Sequence, residues 1–226
     1  MEFRNAATVP EATAIQNELR ERLRLVPLSR EPRTIAGADV SYNRFSDDFF
    51  ACVVVLSLPG LEEVERAFAK GVATFPYVPG YLSFREIPTL LNAFEKLKTA
   101  PDVIMADGQG SAHPRRMGIA AHLGLVLGVP TFGCGKSKLF GVGDEPGSTR
   151  GSVSFLRDPK NAEVVGAYVR TKDNVAPVIV SAGNGITLEE SVDLALRTST
   201  VYRIPEPTRR AHTLVNEFRR GEIHAY

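Results

Sequence analysis

The apolar positions change period several times along the chain, and each change marks an element. In 11–25, Ile15, Leu19 and Leu23 recur every four residues, which predicts an amphipathic helix opened near Thr8 or Pro10. Two strand-like runs follow at 34–42 and 49–58, and the polar stretch 43–48 between them predicts a hairpin. A third run at 64–74 continues the meander with weaker alternation. Ile87, Leu90, Leu91, Phe94 and Leu97 then share one face of a helix expected over 88–98. The run 103–106 predicts a short buried strand, 115–127 a second amphipathic helix, and 129–132 another strand. Residues 133–151 are glycine-rich and read as an exposed loop. Strands are expected near 163–170 and 178–182, then a helix over 188–197 and a last helix opened by Pro207 and running towards Arg219.

Three antiparallel strands, a helix, and then strands alternating with helices describe an α/β chain with a mixed sheet and helices on both faces. That order is similar to the ribonuclease H-like arrangement. A chain of 226 residues predicts one catalytic-sized domain spanning 1–226. The composition, 43% hydrophobic and 23% charged, is that of a soluble globular protein. No signal-peptide core and no run of the roughly 18 apolar residues that a membrane helix needs is present. A cytoplasmic monomer without a membrane partner is therefore expected. Two cysteines are too few for a disulfide framework or a zinc cluster; Cys52, in an apolar run, and Cys134, in a glycine-rich turn, read as small buried hydrophobes. The net charge of +1 gives no general nucleic-acid footprint. Any such contact has to come from local basic pairs: Arg115 and Arg116, Lys136 and Lys138, Arg209 and Arg210, Arg219 and Arg220.

Three carboxylates carry the candidate chemistry. Asp39 stands among small apolar residues in the middle of the first strand, where a charge needs a partner or a cation. Asp107 ends the short strand 103–106, and open parallel sheets bind ligands outside such carboxyl ends. Glu86 lies just before Pro88. Ser83 and Glu86 fit a capping box, but a helix capped at Ser83 would place Pro88 beyond its first turn, so the expected start is 86–88. Oxygen ligands of this kind suit magnesium, and two ions about 3.5–4 Å apart can assist phosphodiester hydrolysis.

Two long motifs then become recognisable. The segment Pro76-Tyr77-Val78-Pro79-Gly80-Tyr81-Leu82-Ser83-Phe84-Arg85-Glu86 resembles a signature of the endonuclease V family. So does Asp107-Gly108-Gln109-Gly110-Ser111-Ala112-His113-Pro114-Arg115-Arg116-Met117-Gly118. Shorter matches at 37–41, 129–136 and 205–209 follow in family order and span nearly the whole chain. The resemblance implies a deoxyinosine 3′ endonuclease that uses Mg2+, with Mn2+ as a substitute, on inosine-containing DNA and single-stranded RNA. It implies hydrolysis of the second phosphodiester bond 3′ to the altered base, leaving 3′-hydroxyl and 5′-phosphate ends. Carried over by position, Asp39, Glu86 and Asp107 are the metal carboxylates, and Lys136 stabilises charge on the reacting phosphate. Tyr77, stiffened by the flanking Pro76 and Pro79, is the strand-separating wedge, and Val78 beside it belongs to the same substrate-binding tip. Gly80, Leu82 and the backbone at Gly110 surround the extruded base. His113, Arg115 and His212 contact phosphate or stand behind the metal ligands.

The chain departs from many relatives at Gln109, often histidine or asparagine, and at Asn184, often histidine. Asn184 can hydrogen-bond but cannot titrate. Two other readings are weighed against this one. A phosphate loop at Gly135-Lys136-Ser137 would need glycine at position 130, where Pro130 stands, and a helix afterwards. A protein that binds altered bases without cutting is the second rival, and the complete ligand set argues against it.

Overall fold

The computed structural model describes residues 1–44 and 46–224. Its eight strands are β1 (Thr34–Tyr42), β2 (Asp48–Ser57), β3 (Glu63–Val72), β4 (Val103–Ala106), β5 (Thr131–Gly135), β6 (Val153–Arg157), β7 (Val164–Val169) and β8 (Val178–Asn184). They form one sheet in the order β3-β2-β1-β4-β5-β8-β7-β6. The meander β1–β3 is antiparallel, β1, β4 and β5 are mutually parallel, and β8, β7 and β6 return antiparallel. The five helices are α1 (Val9–Arg20), α2 (Leu82–Phe94), α3 (Ile119–Leu127), α4 (Leu188–Arg197) and α5 (Glu206–Arg220). This is the mixed, ribonuclease H-like sheet that the element order predicts.

Side chains alternate across a strand, so each central strand feeds two cores. Ile35, Val103 and Met105 join Ala195 of α4 and Ala211 of α5 on one face. Ala36, Ala38, Ile104 and Ala106 join Ile87 and Leu90 of α2 and Leu123 of α3 on the other. With both faces covered, β4 is buried at all four positions, which explains its unbroken apolar run. Among the described residues no helix is long and apolar enough to cross a membrane.

The structure corrects several boundaries. Helix α1 opens at Thr8, which forms a capping box with Glu11, but ends at Arg20. Leu23 packs with the same cluster from outside the helix. Helix α2 starts at Leu82, not at 86–88, and runs through Pro88. The missing N–H and the ring of that proline normally cost about 3 kcal/mol; burial of Phe84, Ile87 and Leu90 on the same helix offsets it. No capping box forms either, since Ser83 lies inside the helix and pairs with His122 Nδ1 at 3.1 Å. Helix α3 begins at Ile119 rather than 115, because the chain before it folds into a tight loop with Arg116 at φ +60°. Strand β5 occupies 131–135, two to three residues later than expected, and takes Cys134 out of the presumed turn into the core. Strand β6 (Val153–Arg157) lies just beyond the stretch read as loop, where no element was expected. Its short, alternately exposed run sits at the sheet edge.

Candidate functional site

Strands β1 and β4 run parallel in register, Ala38 beside Ala106, so the next residues, Asp39 and Asp107, emerge side by side. Helix α5 crosses β1 and brings His212 over the same spot. One ligand atom from each of Asp39, Asp107 and His212 lies within 4.8 Å of the others. His212 Nδ1 meets Asp39 Oδ2 at 2.7 Å, and Lys136 Nζ, just past β5, meets Asp107 Oδ2 at 2.5 Å. Glu86, on the fifth position of α2, lines the same cleft as both aspartates but stands outside that closest trio. His212 is thus the third member of the trio, where the sequence pointed to Glu86.

The electrostatics of the group are those of crowded like charges. Burial pushes Glu86, 8% exposed, well above the ordinary carboxylate range, and the charges of Asp39 and Asp107 push it further. Burial likewise raises Asp107, again assisted by Asp39, although Lys136 pulls it back. The hydrogen bond to Asp39 raises His212. Burial opposes the charge on Lys136, yet Asp107 holds its pKa above the usual value. Three carboxylates meet one lysine here, and the oxygen-rich set with one imidazole suits a hard divalent cation.

The cleft extends from these acids towards the loop before α2. Tyr77 stands at its mouth, 64% exposed, and Val78, Pro79, Gly80 and Leu82 continue along the wall. Pro76 lies outside the lining. Gly110, expected beside a base, is also off the wall. Its missing side chain serves packing: a Cβ there would come within 2.2 Å of the Ala182 carbonyl oxygen on β8. Gly108, next to Asp107, lines the cleft instead, with Met117 and Ile119. The sequence hid these three as a turn glycine and two core residues.

His113 is buried and Arg115 half-buried, and the hydrogen bonds of both side chains turn inward. The carbonyl oxygen of Gly80 accepts from His113 Nε2 at 2.9 Å, Arg115 Nη2 at 3.0 Å and Gln16 Nε2 at 3.1 Å. His113 Nδ1 accepts the Arg115 backbone N–H at 3.1 Å, so the ring is neutral, and burial lowers its pKa to about 4. Both residues therefore clamp the loop that carries Tyr77. Gln16, fully buried on α1, shares this clamp and was missed; an amide on the apolar face of a helix was its signal.

The remaining candidates divide clearly. Arg116 is buried against Asp158 at 2.5 Å and Glu163 at 2.8 Å, and Arg209 and Arg210 both hold Glu206. Gln109 lines the cleft and donates to the Ser137 carbonyl at 2.9 Å, bracing the segment that carries Lys136. Asn184 pairs with Thr131, at the opposite end of β5 from Lys136, and accepts the Arg24 N–H at 3.1 Å. That places it away from the acids, so its inability to titrate does not bear on them. The phosphate-loop rival fails, since the next regular element after Lys136 is strand β6 and not a helix.

Comparison with known proteins adds a family. The model of that family, Endonuclease V, matches residues 17–213. Endonuclease V of Dictyoglomus turgidum is 46% identical over 213 residues, covering 94% of this chain and 92% of its own. The crystal structure of endonuclease V from Streptomyces avermitilis superposes with a TM-score of 0.90 at 42% identity, covering 96% of this chain and 95% of its own. Endonuclease V of Ciona intestinalis, solved in complex with a 23mer DNA containing an inosine followed by a ribo-adenosine, gives 0.84 at 28% identity, covering 95% and 98%.

Proposed function

The chain belongs to the endonuclease V family, and from that premise we propose that it nicks nucleic-acid strands at a deaminated purine, inosine, using a divalent cation held by Asp39, Asp107 and Glu86. The carrying observation is that Asp39, Asp107 and His212 converge within 4.8 Å at the end of a cleft whose mouth presents an exposed tyrosine. Magnesium fits the oxygen-rich donor set, with manganese as its substitute. When bound it would polarise the scissile phosphate and lower the pKa of an attacking water.

The chain's own groups supply the rest. Lys136, hydrogen-bonded to Asp107, brings a positive charge to the edge where the phosphate would sit. His212 orients the Asp39 carboxylate through Nδ1. Tyr77 would fill the gap left by an extruded base. Gly80 and Leu82 would line that base's pocket, with Gly108 in place of Gly110. Extrusion costs a few kcal/mol, least at a mismatch, which favours altered sites. The reading places the whole chemistry in one domain spanning 1–226 and puts the cut at the second phosphodiester 3′ to the inosine.

The test is cleavage of inosine-bearing DNA and single-stranded RNA, with magnesium and with chelator. The expected products carry 3′-hydroxyl and 5′-phosphate ends and disappear in chelator. Tight binding without turnover in magnesium would favour the non-cleaving rival. Tyr77→Ala is expected to weaken binding of an inosine duplex about 5- to 150-fold, because aromatic stacking on a base is worth about 1–3 kcal/mol. Single-turnover cleavage of the bound duplex should change less than about threefold. An unchanged Kd in a fluorescence titration would remove Tyr77 from this role.

A further inference from the structure

Beyond the acids, a hydrogen-bonded ladder runs away from the base cleft between β1 and α5. Residues 39 and 41 share one face of β1, and residues 212, 216 and 219 share one face of α5. The two faces pair rung by rung. His212 meets Asp39 at 2.7 Å, Ser41 Oγ donates to Asn216 Oδ1 at 2.8 Å, and Arg219 Nε donates to Ser41 Oγ at 2.9 Å. Arg219 also donates to Asn216 Oδ1 at 3.3 Å and to the Asn43 side chain.

Arg219 differs from the other arginines of α5 in its partners. Arg209 and Arg210 share Glu206, and Arg220 meets Glu222. Its acceptors, Ser41, Asn43 and Asn216, are all neutral, and among the described residues it has no carboxylate partner. The C-terminal end of the helix contributes only a partial opposing charge. A half-buried guanidinium is therefore held by three neutral side chains, with no carboxylate paired to it among the described residues, two turns along α5 from the histidine that meets Asp39. Such a planar fork suits a phosphate diester.

We propose that Arg219, set in place by Ser41, Asn43 and Asn216, binds a backbone phosphate of the substrate strand on the 3′ side of the cut. This rests on the reading above. The base cleft lies on the α2–α3 face, the acids lie at the carboxyl ends of the central strands β1 and β4, and the ladder continues on the α5 face. A strand whose altered base enters the cleft passes the acids and reaches Arg219 downstream. From His212 to Arg219 the helix advances about 10 Å, about three nucleotide steps of a duplex strand.

The test reads binding in chelator, separately from turnover. Arg219→Gln is expected to raise Kd for an inosine duplex about tenfold at low salt and to reduce the slope of log Kd against log salt by about one. Arg219→Lys should keep that slope. A strand ending one nucleotide past the cut should bind wild type about tenfold more weakly than the full strand, and wild type and Arg219→Gln equally; the wild-type arm stands even if Arg219→Gln does not fold. Unchanged Kd and slope, a variant effect that persists on the truncated strand, or a loss confined to kcat would overturn the proposal. Absence of cleavage in magnesium, with the salt and truncation effects intact, would instead sink the nuclease reading and leave this phosphate contact standing.

Discussion

Asp107→Asn is expected to lower the single-turnover cleavage of an inosine-bearing strand by about a thousandfold or more while leaving the fold intact. Asparagine keeps the shape of the side chain and an oxygen that can accept from Lys136, now at 2.5 Å. What it loses is charge at the one place where Asp39, Asp107 and His212 come together. Removing a single preorganised electrostatic group at a reacting centre costs about 10²–10³ in rate, and a cation ligand lost with it adds to that. Stability should move the other way. In the metal-free protein Asp107 is a half-buried carboxylate whose pKa is raised by desolvation and by the neighbouring Asp39 charge. A neutral amide relieves that repulsion, so Tm should hold or rise in metal-free buffer. Wild-type rates from a variant with wild-type Tm would remove Asp107 from the chemistry.

Gly37→Ala is expected to damage fold and activity together. A Cβ at residue 37 would lie 1.9 Å from the Pro207 carbonyl oxygen and 2.2 Å from its carbonyl carbon. Both are backbone atoms at the start of α5, so no side-chain rotation relieves the clash and the helix has to back away from β1. Overpacking of this kind typically costs about 1–3 kcal/mol and occasionally more. For a chain of this size that corresponds to a fall in Tm of roughly 2–12 °C. Helix α5 also carries His212, which now reaches Asp39 at 2.7 Å. A shift of about 1 Å at a reacting centre can cost about a hundredfold in rate, and that loss should persist well below the lowered Tm. Gly60→Ala is the control. It lies on an exposed turn where a Cβ meets nothing closer than 3.4 Å, and both melting and cleavage should match wild type.

The parts of the molecule legible in its sequence are those where local pattern and tertiary packing agree. Strand β1 and helix α4 have the expected limits: β1 keeps an unbroken buried run at 35–38, and burial of Ser191, Leu194 and Ala195 keeps the helical period of α4, which Thr187 caps. The misplaced limits lie where long-range packing overrides a local signal. Pro88 reads as a helix start, yet the core beneath α2 holds the helix through it. The glycines at 133 and 135 read as a turn, yet they lie in a buried strand, with loop 108–110 packed close against Gly133. The site divides in the same way. Asp39 betrays itself as an acid inside an apolar strand and Asp107 as one at the end of a short apolar run. His212, Gln16 and Arg219 act through partners 173, 64 and 178 residues away, a separation no local pattern encodes. The family resemblance made His113 a phosphate contact or a support behind the metal ligands; burial and the Gly80 carbonyl make it a neutral clamp.

Manganese binding followed by electron paramagnetic resonance tests the central claim most directly, since it reads the cation without requiring turnover. Wild-type chain should bind Mn2+ saturably, release it to excess Mg2+, and lose at least about tenfold in affinity as Asp107→Asn or Asp39→Asn. Equal affinity in wild type and in both folded variants would contradict a cation held by these carboxylates.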